Sequence, residues 1–206
     1  GGGEIPAGSF LEGPSFDRAG NLYVVDIPYG RIFRISPLGK FEVVAEYDGE
    51  PNGLRIHKDG RIFVADHKLG IVLLDAASGK ITPFITRYHR EHFKGVNDLT
   101  FASTGDLYFT DQGQSDYADR TGRVYRYTAA GALHKIADCL PSPNGLVLNA
   151  KEDMLFVAVT RGNAVLRFPL APDGTVARMG VFIQLSGGRG PDGMTIDEHD
   201  GLVVAH

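Results

Sequence analysis

The sequence predicts an all-β fold, a β-propeller with about four and a half blades, and three observations predict it. Short apolar or alternating runs are split by turn residues throughout, with 27 Gly and 11 Pro in 206 residues, which is the punctuation of β-hairpins. No segment carries a convincing apolar period of 3.6 residues. A four-strand unit recurs every roughly 40–48 residues, the spacing of a propeller blade.

The units open on a polar residue. They begin "EGPSFDRAGNLYVVD" at Glu12, "NGLRIHKDGRIFVAD" at Asn52, "NDLTFASTGDLYFTD" at Asn97, "NGLVLNAKEDMLFVAV" at Asn144 and "DGMTIDEHDGLVVAH" at Asp192. In the first three, a glycine follows at a fixed offset (Gly20, Gly60, Gly105) and the second strand ends in Asp26, Asp66 or Asp111. His206 takes that place in the fifth unit, and the fourth carries one extra residue. Each of the first four units continues into a second hairpin, such as "GRIFRISPLGKFEVVAE" or "GIVLLDAASGKITPFI". A sandwich or an open β array accounts less well for the near-equal offsets and the recurring first-strand signature. Tyr23, Phe63, Tyr108 and Phe156 recur at one strand position and are expected in the core between blades.

Composition narrows the function classes. A hydrophobic content of 43% and a charged content of 22% are ordinary for a globular chain. The net charge of -4, without any Lys/Arg run, gives no case for nucleic acid or an anionic membrane. No apolar run approaches the ~18 residues of a membrane span. The N-terminal "GGGEIPAGSFLEGP" shows no signal-peptide pattern, and Cys139 is the single cysteine. A cytoplasmic location is the expectation, with the periplasm open.

The chemistry follows from the repeat. A propeller lines its central channel with the innermost strand of each blade. The equivalent residues Glu12, Asn52, Asn97, Asn144 and Asp192 are therefore expected to ring one end of the channel. Two carboxylates and three carboxamides are hard oxygen donors, suited to Ca²⁺, Mg²⁺ or Mn²⁺ more than to Zn²⁺ or copper. Without a cation, Glu12 and Asp192 would repel each other in a partly desolvated cavity. The bland alternative is that Asn-Gly and Asp-Gly merely make turns at strand entrances.

The motifs "LEGPSF", "GVNDLTF", "SPNGLVL" and "GPDGMTID", in that order over nearly the whole chain, resemble those of the gluconolactonase, senescence marker protein (regucalcin) and luciferin-regenerating enzyme family. The resemblance implies a six-bladed propeller holding a divalent cation, commonly calcium, with Mg²⁺, Mn²⁺ or Zn²⁺ as alternatives, and hydrolysis of lactones. By position it implies Glu12, Asn144 and Asp192 as metal ligands, Asn97 at metal and substrate, and Asp192 as general base. Asn52 joins Asn97 as an expected substrate contact, and a small-molecule lactone is the expected partner. Sugar-lactone members carry arginine two residues before the channel asparagine, where this chain has Gly95. That departure makes a less polar lactone or ester as good a substrate as a polyhydroxylated one. Six blades also exceed those present, so the expectation is a single propeller domain over 1–206 that is a fragment or is completed by other residues or another chain. A non-catalytic propeller binding a small ligand or protein on its channel face is the alternative function. A relation to strictosidine-synthase-like propellers fits the ring of metal-type donors less well.

Rival signals are weaker. "GRGPDG" matches G-x-G-x-x-G but contains Pro191 and leads into a strand, whereas a dinucleotide fingerprint opens a helix. "SGK" lacks the upstream glycine of a P-loop, "DEHDG" lacks EF-hand spacing, and no G-x-S-x-G is present. "HREHF", with His89 and His92, reads as a loop over the channel mouth. Asp111, Asp116 and Asp119 lie in an acidic loop, with a second cation site as the minor alternative to simple solvation.

Overall fold

The computed structural model describes residues 8–206. Its strands run in chain order through antiparallel meanders, the blades of a β-propeller. Blade one is β1 (Leu11–Phe16), β2 (Leu22–Asp26), β3 (Arg31–Ile35) and β4 (Phe41–Glu46). Blade two is β5 (Pro51–Ile56), β6 (Ile62–Asp66), β7 (Gly70–Asp75) and β8 (Lys80–Ile85). A small hairpin follows, β9 (Arg87–Tyr88) and β10 (Glu91–His92). Blade three is β11 (Val96–Phe101), β12 (Leu107–Asp111), β13 (Gly122–Tyr127) and β14 (Leu133–Leu140). Blade four is β15 (Pro143–Leu148), β16 (Met154–Val159), β17 (Ala164–Pro169) and β18 (Gly180–Gln184). A fifth sheet has two strands among the described residues, β19 (Met194–Ile196) and β20 (Leu202–Val204).

The chain divides into two compact units, one ending at Val96 and the other beginning at Asn97. The core of the first joins Tyr23, Val25 and Ile32 of blade one to Leu54, Val64 and Val72 of blade two. In the second, Tyr108 and Val124 of blade three meet Leu146, Val157 and Phe168 of blade four, and Met194 of β19 meets Ala158 and Val165. Burying one such aliphatic side chain contributes about 1.5–3 kcal/mol. The second strands are covered on both faces: every residue of β6 and β12 is buried. This explains why "IFVAD" and "LYFTD" read as continuous apolar runs, whereas the outer β4, β8 and β18 are largely exposed.

Hairpin turns are set by the fixed-offset glycines. Gly20, Gly60 and Gly105 have φ of 82°, 91° and 91°, and their N–H groups donate to Asp17, His57 and Ala102 carbonyls. A residue with a Cβ adopts that backbone only at a cost. Turns also brace the next blade within each unit: Glu152 accepts from Ser103 N and Oγ, and Asp200 accepts from Ala150 N.

Two expectations need correction. "HREHF" enters a hairpin and not a plain loop: Glu91 pairs with Tyr88 and His92 with Arg87. His89 takes the left-handed turn at φ 54°, and its ring lies 4.2 Å from that of Tyr88. Tyr23, Phe63 and Tyr108 are buried as expected, but Phe156 is half-buried, its ring 4.8 Å from that of Phe182 on the exposed β18.

Candidate functional site

The polar openers share one register. Glu12, Asn52, Asn97 and Asn144 are each the second residue of their blade's first strand, and Asp192 lies two residues before β19. They occupy strands or strand entrances and not hairpin turns, which removes the simple turn explanation for the Asn-Gly pairs. The pairing is irregular beside three of them, between Glu12 and Ser15, Pro51 and Gly53, and Pro143 and Leu146. Such bulges re-aim a side chain out of the ladder. The following glycines permit neighbouring first strands to touch. A Cβ at Gly13 would lie 2.7 Å from Leu54 N, and one at Gly145 would lie 2.4 Å from the Asp192 carbonyl.

In the unit from Asn97 onward, two chains of hydrogen bonds hold the candidates, one at Asn144 and Asp192 and one at Asn97. Asn144 Nδ2 donates to Thr160 Oγ1 at 3.1 Å, and the Asn144 side chain stands near enough to Asp192 to lower its proton affinity. Thr160 Oγ1 in turn donates to the Pro191 carbonyl at 2.8 Å. Asn97, buried at 5% exposure, donates from Nδ2 to Gln112 Oε1 at 3.0 Å. Gln112 Nε2 donates to Ser142 Oγ at 2.8 Å, two residues before Asn144. Thr110 ties the third blade to the fourth, accepting from Asp98 N at 3.1 Å and donating to the Asn144 carbonyl at 2.8 Å. Burial raises the Asp192 carboxyl above its usual range; the Asn144 side chain opposes this and the nearby Asp98 carboxylate adds to it.

Sequence reasoning missed Asp98, Gln112, Ser142 and Thr160. Asp98 stands where the other blades have glycine. Gln112 and Thr160 each stand one residue past the second strand of their blade, 15 and 16 residues after the opening asparagine, and that recurrence was the available signal for both.

In the unit up to Val96, Glu12 and Asn52 are half-buried. The aspartates that end second strands there are structural. Asp26 Oδ1 accepts from Phe10 N at 2.9 Å. Asp66 accepts from Tyr47 Oη, Glu50 N, Lys68 N and Leu69 N. Gly95 is covered by a histidine: a Cβ there would lie 2.3 Å from His67 Cε1 and Nε2. An arginine at this position would have to displace the imidazole.

Among the described residues no three His, Cys, Asp or Glu side chains are grouped to hold a metal. The Asp111–Asp119 loop has its own explanation, since Asp116 Oδ1 accepts from Ala118 N and Asp119 N. The predicted set relies on carboxamides, and here the chemistry fits a hard cation. Asn97 and Asn144 both commit Nδ2 to protein acceptors, so the end each has to offer a ligand is its carbonyl oxygen. Asp192 and Asp98 place two carboxylates in one partly desolvated region, a combination that a divalent cation neutralises.

Residues 10–206 match the SMP-30/Gluconolactonase/LRE-like region. The chain belongs to the SMP-30/gluconolactonase/LRE-like family. Among relatives of this family, lactonase drp35 of Staphylococcus epidermidis is 32% identical over 206 residues, 95% of this chain and 62% of that protein. The chain thus spans less than two thirds of the length of that relative. A gluconolactonase of Xanthomonas campestris superposes with a TM-score of 0.85 at 26% identity, covering 95% of this chain and 69% of that one. Regucalcin of Agrobacterium tumefaciens, a calcium-binding protein, superposes with a TM-score of 0.78 at 22% identity, covering 95% and 66%. The last is a likeness of fold alone. No helix among the described residues is long and apolar enough to cross a membrane.

Proposed function

We propose that this chain carries the site of a divalent-metal-dependent lactonase, with calcium ahead of Mg²⁺, Mn²⁺ or Zn²⁺. In this reading Glu12, Asn97, Asn144 and Asp192 hold the cation, Asn52 and Asn97 face the substrate, and Asp192 is the general base. The observation that carries the reading is the Thr160 hydroxyl, which accepts from Asn144 Nδ2 and donates to the carbonyl of the residue before Asp192, so that a carboxamide with its nitrogen committed and a half-buried carboxylate are held by one group. The match to lactonase drp35 supports lactones as the substrate class.

The bound cation would supply Lewis acidity at the lactone carbonyl. Asp192 takes a proton from the attacking water and returns it to the ring oxygen as the ester C–O bond breaks. Asn97 and Asn144 orient through their carbonyl oxygens, held by Gln112 and Thr160. His67 over Gly95 takes the space of the arginine that sugar-lactone relatives carry, which favours a less polar lactone or ester.

The test is a lactone panel assayed after chelation and again with each metal restored. Turnover is expected to vanish with chelator and return with calcium. Absence of turnover with every metal and every lactone or ester overturns the reading.

A further inference from the structure

Gln112 joins two things the proposed chemistry leaves unexplained. One is the orientation of Asn97, whose carboxamide can present either its nitrogen or its oxygen to a ligand. The other is Ser142, a buried non-glycine residue at φ 61°, directly before Pro143, where proline already restricts the backbone. A left-handed conformation for such a residue is strained and persists only when its surroundings hold it.

Those surroundings converge on Gln112. Its Oε1 accepts from Asn97 Nδ2 at 3.0 Å, and its Nε2 donates to Ser142 Oγ at 2.8 Å. Its backbone carbonyl accepts from Ser115 Oγ, which in turn accepts from Ser142 N at 3.0 Å. Ser115 and Ser142 are both buried. The two serines thus hold Gln112 from both its main chain and its side chain, with Gln112 Oε1 facing Asn97.

We infer that Gln112, anchored by the strained Ser142, is a positioning residue that turns the Asn97 carbonyl oxygen toward the proposed cation. This rests on the metal-dependent reading above and extends it to residues that touch neither metal nor substrate. An outer partner of this kind is typically worth about 10–100-fold in metal affinity.

Calcium chloride is titrated by calorimetry into the chelator-treated native protein and into Gln112→Met, Gln112→Glu and Ser142→Gly. The Asn97 side-chain amide is followed by NMR in the metal-free samples. Gln112→Met keeps shape but offers no acceptor, so calcium affinity is expected to fall about tenfold or more, with faster exchange of the Asn97 amide protons. Gln112→Glu restores the acceptor, and native affinity or tighter is expected with a protected amide. Ser142→Gly keeps the left-handed backbone and drops the hydroxyl, so a weaker affinity in a folded protein is expected. Native calcium affinity in Gln112→Met, or an unchanged Asn97 amide there, overturns the positioning role alone. A native protein that binds no calcium overturns this role and the metal-dependent reading together, so the two failures are distinct.

Discussion

Asn144 and Thr160 form the joint between the fourth and fifth blades. Thr160 Oγ1 accepts from Asn144 Nδ2 at 3.1 Å and donates to the Pro191 carbonyl at 2.8 Å. One hydroxyl thereby orients a proposed ligand and places the residue before Asp192. Thr160→Val preserves the shape and removes the hydroxyl. A loss of about 1–3 kcal/mol is expected in urea unfolding, with weaker calcium binding, and Thr160→Ser is expected to recover both.

Asp192 separates catalysis from folding. Asp192→Asn keeps the side-chain volume and the backbone bond from Asp192 N to the Ala205 carbonyl, but loses the proton acceptor. Turnover is expected to drop by at least about 100-fold, the ordinary contribution of general-base catalysis, with an unchanged far-ultraviolet circular dichroism spectrum. Wild-type turnover in this variant removes Asp192 as the base.

The same residue gives the metal-free protein a pH signature. Burial raises the carboxyl of Asp192 in the fold, so over the window between its unfolded and folded values the native state binds more proton than the unfolded state. Stability from this group is complete below the unfolded value and is lost as pH rises through the raised one. The thermal midpoint of the metal-free protein, compared with Asp192→Asn across that window, is expected to show this decline in the native protein only.

Gly145 tests the close approach of the first strands. A Cβ at this position would sit 2.4 Å from the Asp192 carbonyl and 2.9 Å from Gly193 Cα. Both neighbours are backbone and cannot rotate away. Gly145→Ala is expected to cost roughly 1–3 kcal/mol by overpacking and to weaken calcium binding because Asp192 must shift. A variant with native stability and affinity would mean that the strands separate freely.

Restoring the arginine of sugar-lactone relatives is expected to fail as a single change. At Gly95 the new Cβ meets the His67 ring at 2.3 Å, so Gly95→Arg lowers the thermal midpoint. Gly95→Arg combined with His67→Ala removes the ring clash but not the backbone strain at φ 153°, so only part of the loss is expected to be recovered. The double variant also tests whether arginine brings turnover of polyhydroxylated lactones.

The all-β propeller pattern was legible because it depends on local residues. Strand alternation, fixed-offset glycines and the repeated polar opener act within one hairpin, and hairpin pairing needs no distant partner. The same locality put Asn97 and Asn144 at the second residue of their strands and Asp192 just before β19. "HREHF" escaped because two residues per strand are too few for a period, and its turn depends on His89 accepting a left-handed backbone.

Residue order alone therefore assigns a blade repeat and a row of oxygen donors, since each blade repeats the same local contest between strand and turn. Which end of a carboxamide faces outward is a different kind of question. It was decided in the folded chain, where Gln112 meets Asn97 from 15 residues away, Thr160 meets Asn144 from 16 residues away, and Ser142 meets Gln112 from 30 residues away. The last of these crosses from one blade to the next and follows no repeat, while the first two join a first strand to the residue just past the second strand of the same blade. Burial of the bonded groups then makes the arrangement costly to reverse, because a polar atom turned from its partner inside the protein has no water to replace it.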